Sequence, residues 1–149
     1  MESVWHVQSL GPDQFAAWKA LRNALYSGLD DEAHEREMAT IHAAPDQRCF
    51  AALDAQRRLV GFIEASLRNI VDGCDAGPIG YIEGLYVTPD ARGMGIGGDL
   101  VAHAVAWFRQ AGCSEMATDA ELDDSEAQDY WRKAGFEETW RIVQFRRAL

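Results

Sequence analysis

The seven residues Arg92-Gly93-Met94-Gly95-Ile96-Gly97-Gly98 are the part of this 149-residue chain whose types and spacing most directly imply chemistry. Closely spaced glycines let a backbone approach a bulky anion, and Arg92 adds a permanent charge on a planar fork of donors. Ile96, Leu100, Val101, Ala104, Val105 and Phe108 then recur at helical spacing, so the loop opens onto a helix over 96–110. A helix N-terminus offers unpaired N–H groups and partial positive charge, so the expected occupant is a phosphate. Two carboxylates stand where strands bend or end. Glu83 precedes Gly84 inside an apolar run over 81–87, and Asp119 follows a short β-prone stretch over 116–118. Such acids can orient an ammonium or take its proton.

Three phosphate ligands compete for the loop. A P-loop needs Lys and Ser or Thr after its glycines, and Gly98-Asp99-Leu100 denies that. A dinucleotide fold is closer, because Gly93, Gly95 and Gly98 spell G-x-G-x-x-G, but that motif belongs directly after a strand opening a repeated βαβ sheet. The third is the pyrophosphate of coenzyme A. A glycine-rich turn without ligand stands beside them.

The elements that must position these residues can be read in order. A strand over 4–9 precedes Gly11-Pro12, and Phe15, Trp18, Leu21 and Leu25 mark a helix over 13–26. Asp30-Asp31 caps a second helix through His42. Strands over 48–53 and 59–67 form a hairpin around the turn 54–57, and a glycine-rich loop over 71–80 leads into the strand over 81–87. Gly84 within that strand predicts a bulge. After the helix over 96–110 come a strand over 116–118, a polar helix over 123–134 ending at Gly135, and a last strand over 136–146. The order describes one mixed α/β domain over 1–149.

Net charge is −10, from 14 basic and 24 acidic residues, a field that disfavours nucleic acid and anionic membrane and favours cationic partners. No run reaches the ~20 apolar residues of a membrane span. The first residues lack the basic and apolar regions of a signal peptide, which predicts a cytoplasmic protein. Cys49, Cys74 and Cys113 are odd in number and form no C-x-x-C pair, and the four histidines are scattered, so free thiols and no metal are expected.

Val87-Thr88-Pro89-Asp90-Ala91-Arg92-Gly93-Met94-Gly95-Ile96-Gly97-Gly98-Asp99-Leu100 resembles the coenzyme A signature of the GNAT acetyltransferases, V-x-P-x-x-R-x-x-G-x-G/A-x-x-L, and Lys133-Ala134-Gly135-Phe136 resembles their later K-x-G-F element. Gly61-Phe62-Ile63-Glu64-Ala65-Ser66-Leu67-Arg68, Gly73-Cys74-Asp75, Glu83-Gly84, the run from Glu115 to Asp119, and Gly135-Phe136-Glu137-Glu138-Thr139 are together similar to aminoglycoside 6′-N-acetyltransferases. The resemblance implies the GNAT fold: a mixed, mostly antiparallel sheet flanked by helices and splayed at a bulge near Glu83-Gly84. It implies acetyl-CoA as cosubstrate, paired with Leu85, Tyr86 and Val87. Arg92, Gly93, Met94, Gly95, Ile96, Gly97 and Gly98 would take its pyrophosphate, and Asp124 stands where relatives carry a contacting asparagine. It implies an aminoglycoside held by Glu83, Asp119 and Tyr26, a homodimer through the last strand and its aromatics, and a place in antibiotic resistance. Besides Asp124, two positions depart from the pattern. The tyrosine or histidine five residues before the phenylalanine of G-F is Trp131 here, with Tyr130 expected to point elsewhere, and Trp140 replaces an acid of the last strand, although its ring still offers a substrate platform.

The chemistry this implies is transfer of an acetyl group from acetyl-CoA to a 6′-amino group by direct attack in a ternary complex. The amine must lose its proton first, and Glu83 is the candidate base, directly or through water, with Asp119 converging on the same cleft. The backbone N–H of Leu85 or Tyr86 is the candidate donor to the developing oxyanion. Seven acids and no Lys or Arg between Ser114 and Trp131 would steer a polycation inward. A polyamine acetyltransferase uses the same acids, and a non-catalytic coenzyme A-binding module is the third reading.

Overall fold

A computed structural model describes residues 4–75 and 77–149. Five strands form one sheet in chain order: β1 (Trp5–Ser9), β2 (Gln47–Asp54), β3 (Leu59–Arg68), β4 (Ile79–Val87) and β5 (Glu115–Thr118). The first three pairings are antiparallel and the last, β4 with β5, is parallel. This is the mixed, mostly antiparallel sheet expected. The helices are α1 (Phe15–Leu25), α2 (Asp31–Ala43), α3 (Ile96–Gln110) and α4 (Ser125–Lys133).

Alternation along the strands divides the core in two. Phe50 and Ala52 of β2, and Ile63 and Ala65 of β3, face α3, where they meet Ile96, Leu100, Ala104 and Phe108. Cys49, Ala51 and Leu53, with Phe62, face the opposite way and meet Trp18 of α1 and Met38 of α2. The central strands are covered on both sides, which is why they read as nearly unbroken apolar runs. Gly80 is required by this packing: a Cβ there would lie 2.2 Å from the Phe108 ring.

Local chemistry sets the boundaries. Pro12 opens a short 3-10 turn, Pro12–Gln14, that the sequence reading had merged with α1. The Asp30 carboxylate accepts from the Ala33 N–H at 2.8 Å and starts α2, as expected of a cap. The last strand is a correction. Residues 136–149 form no strand: Phe136 packs against the core, and Trp140, Ile142, Val143 and Phe145 are exposed. Their β propensity has no ladder to join within the described residues, and propensity without a pairing partner does not make a strand.

The sheet opens where the site lies. β4 is out of register with β3 between Glu64 and Ala65: Glu64 faces Gly84 and Ala65 faces Ile82, leaving Glu83 as the extra residue of a bulge. On the other edge, pairing with β5 stops at Ile82–Thr118. From Glu83 onward β4 is bonded to β3 alone, and its second edge is splayed away from β5.

Candidate active site

The bulge exists because Gly84 has no side chain. A Cβ there would fall 1.9 Å from the Tyr26 hydroxyl, which donates to Glu64 Oε1 at 3.1 Å and lies 3.4 Å from the Glu83 carbonyl oxygen. Tyr26 thus reaches across from the end of α1 and occupies the space under the splay. Burial, with the neighbouring Glu64 charge, pushes its phenol up, so the hydroxyl stays a donor.

An open cleft of about 690 Å³ lies between α1, α2 and the sheet, and Arg22, Tyr26, Glu37, Glu64, Ser66 and Glu83 all line it. Two residues hold the Glu83 carboxylate in a fixed pose. Ser66 Oγ donates to Oε1 at 2.5 Å, and the Arg68 guanidinium grips both oxygens at 2.8 and 2.9 Å. Glu64, Ser66 and Arg68 occupy alternate positions of β3, so one face of that strand presents a polar row to the cleft. Behind it, Arg22 and Glu64 form a buried ion pair, with exposures of 1% and 3%. Trp18 Nε1 adds a hydrogen bond to Glu64 at 2.9 Å, and Arg22 Nε donates to His34 Nδ1 at 3.2 Å.

Asp119 sits just past β5 and does not line this cleft. It accepts from the Tyr81 hydroxyl at 2.5 Å, and the Arg68 guanidinium stacks 3.5 Å from the centre of the Tyr81 ring. The two carboxylates named from sequence are therefore joined through Tyr81 and Arg68. Burial and the Asp119 bond push the Tyr81 phenol up, which keeps it protonated as the donor.

The glycine loop has the form expected of an anion cradle. Gly93 and Gly95 have φ of 79° and 99°, in the left-handed region that favours glycine. The first helical bond runs from the Asp99 N–H to the Gly95 carbonyl, so the N–H groups of Ile96, Gly97 and Gly98 have no acceptor in the helix. A Cβ added at Gly93 or Gly98 would meet nothing within 4 Å, leaving room for a ligand. Arg92 is held at the strand end by Nε donating to the Val87 carbonyl at 2.8 Å, with its guanidinium over the Tyr86 ring. Trp5 Nε1 bonds Asp99 at 3.0 Å and braces the first turn of α3. Met94 is half exposed, whereas the Ile96 side chain is buried in the core and only its backbone faces the loop. The splayed edge of Leu85, Tyr86 and Val87 leads from this loop to Glu83, a continuous track from an anion site to a carboxylate.

Other expected site residues are placed differently. Asp124 spends its carboxylate as the cap of α4, accepting from the Ala127 N–H at 3.0 Å. Trp140 lies 63% exposed in the C-terminal segment, away from the cleft. Tyr130 and Trp131 point different ways, as expected: Tyr130 lies over Gly97, while Trp131 packs edge-on against Phe136 beside the core. Sequence reasoning gave no role to Arg22, Glu64, Ser66, Arg68 or Tyr81. A signal for Arg22 was present: it falls four residues from both Trp18 and Tyr26, a charge on an apolar helix face. Among the described residues no group of three or more His, Cys, Asp or Glu is placed to hold a metal ion.

This arrangement matches known proteins over its whole length. The acetyltransferase (GNAT) family model matches residues 15–136. An aminoglycoside N(6′)-acetyltransferase type 1 from Stenotrophomonas maltophilia is 39% identical over 144 residues, covering 96% of this chain and 93% of that protein. The structure of AAC(6′)-Iy with the bisubstrate analogue CoA-S-monomethyl-acetylneamine superposes with a TM-score of 0.91 at 32% identity, covering 99% and 100% of the two chains. The same enzyme in complex with CoA gives 0.93 at 31% identity, covering 100% and 98%.

Proposed function

The chain belongs to the GNAT family of acetyltransferases, and from that premise we propose that it transfers an acetyl group from acetyl-CoA to the 6′-amino group of an aminoglycoside. The observation that carries this reading is the track from the glycine loop along the splayed edge of β4 to the Glu83 bulge. Its relatives of known structure include one with CoA and one with a CoA–aminoglycoside analogue. Free N–H groups, two left-handed glycines and open space fit a pyrophosphate; Arg92 to Gly98 would hold it, and the unpaired edge of Leu85, Tyr86 and Val87 would receive the pantetheine arm.

Acetyl-CoA supplies the thioester when bound. The protein does the rest. Arg68 and Ser66 hold Glu83 at the cleft, where its carboxylate receives the proton of the incoming ammonium, directly or through water. The freed amine attacks the thioester carbonyl in a ternary complex. The N–H of Leu85 or Tyr86 faces the developing oxyanion. Tyr26 supports the bulge from below. Glu37, ion-paired with Arg22 where it lines the cleft, and Asp119, outside the cleft beyond Tyr81, are the further acids for the remaining amines of a polycation.

The same acids would serve a polyamine, so the acceptor is the discriminating variable. Thiol release from acetyl-CoA is expected with a 6′-amino aminoglycoside and not with its 6′-hydroxyl analogue or spermidine. Turnover with spermidine alone would overturn the aminoglycoside reading, and CoA binding without any turnover would leave a non-catalytic module.

The proposal extends to a homodimer. The C-terminal segment exposes Trp140, Ile142, Val143 and Phe145, and among the described residues β5 has a strand on one side only. A second copy pairing that segment with that edge would cover both, since an open edge and an unpaired β-prone segment complement each other. Light scattering should then give twice the chain mass of 16.6 kDa, and truncation after Phe136 should give a monomer. A full-length monomer would remove the dimer. We place the protein in the cytoplasm: no helix among the described residues is long and apolar enough to cross a membrane, and Cys49, Cys74 and Cys113 are free thiols suited to a reducing compartment.

A further inference from the structure

Tyr130 and Trp131 are neighbours on α4 and therefore project about 100° apart. Trp131 turns inward, its ring centre 5.1 Å from that of Phe136. Tyr130 turns toward the glycine loop. Its hydroxyl lies 2.9 Å from the point a Gly97 Cβ would occupy, and Val87 Cγ2 lies 4.0 Å from the same point. The phenol thus stands where the end of β4 meets the first turn of α3, beside the N–H groups that have no helical acceptor. Burial alone pushes this phenol up, with no charged or hydrogen-bonding neighbour contributing. The hydroxyl is a donor with its proton uncommitted, and its ring is fixed edge-on against Trp131 at 5.0 Å.

We propose that the Tyr130 hydroxyl donates a hydrogen bond to the pyrophosphate of acetyl-CoA, and that it is a cofactor-binding residue and not the proton donor to the departing thiol. The inference rests on the acetyltransferase reading. Distance separates the two roles. The acyl group must reach the Glu83 bulge, and Val87 lies four residues further along β4, ~13 Å at the strand rise of about 3.3 Å per residue. A hydroxyl held beside Val87 and Gly97 serves the phosphate end of the track and leaves the sulfur to solvent. Gly97 is part of the device, because a methyl group there would meet the hydroxyl.

Tyr130→Phe keeps the ring and its packing on Trp131 and removes only the donor. Calorimetry with CoA should show the Kd rising roughly 10- to 100-fold, the range for a hydrogen bond to a charged group. S-acetylpantetheine, which lacks the pyrophosphate, should be used as acyl donor equally well by both proteins. The pH profile of kcat with saturating acetyl-CoA should not change. An unchanged Kd for CoA, an equal penalty with S-acetylpantetheine, or loss of the basic limb of kcat would each overturn the assignment. Wild-type protein that fails to bind CoA would instead remove the acetyltransferase reading itself.

Discussion

Glu83→Gln is expected to lower kcat toward a 6′-amino aminoglycoside by about 10²- to 10⁴-fold, the contribution of a positioned general base, while leaving the Kd for CoA unchanged. The bulge lifts Glu83 out of the ladder between β3 and β4, so its side chain belongs to the cleft and carries little of the fold. The glutamine keeps the shape and cannot accept a proton. It also turns an amide N–H₂ toward a partner set, Ser66 and Arg68, that offers only donors to the native carboxylate. Steady-state kinetics and CoA calorimetry separate the outcomes. Unchanged kcat removes Glu83 as base, and a raised KM with kcat intact makes it an anchor for the ammonium instead.

The glycine loop of the candidate site was legible in the sequence and the surroundings of Glu83 were legible only in part, for a physical reason. The loop from Arg92 to Gly98 is local: strand end, glycines and helix start are consecutive, and spacing alone carries the geometry. The bulge was legible too, because Gly84 interrupts an apolar run. The partners of Glu83 were not. Arg68 and Ser66 reach it from β3 and Tyr26 from the end of α1, and which of them touch depends on strand register and on the one-residue slip at the bulge. Tyr130 and Trp131 show the same limit at small scale. Their order predicted that the two would diverge, but not that the rotation of α4 sends the tryptophan against the core and the hydroxyl to the loop. The C-terminal strand failed differently: its β propensity was read correctly, but among the described residues the segment pairs with no strand.

Arg22→Met is expected to destabilise the fold by about 3–5 kcal/mol, because it leaves a buried carboxylate without its counter-charge. Glu64 is nearly inaccessible, and burial holds its carboxyl above the ordinary carboxylate range while Arg22, Trp18 and Tyr26 oppose that shift. A carboxyl raised in the folded state favours folding when protonated, so its contribution is lost as pH rises through the folded pKa. Removing Arg22 takes away the main opposing charge and raises that pKa further. The deficit in the variant should therefore widen as pH rises through the Glu64 titration and narrow in acid, read as urea midpoints at several pH values. Arg22→Met combined with Glu64→Gln leaves no buried charge and keeps an oxygen acceptor for Trp18 and Tyr26, so it should recover part of the loss. A single variant as stable as wild type, or a double variant no better than the single, would show that the pair is not what holds α1 against β3. The same residues floor the acceptor cleft, so the double variant should also keep the Tyr26 bond that supports the bulge, and its residual turnover would report how far that support alone positions Glu83.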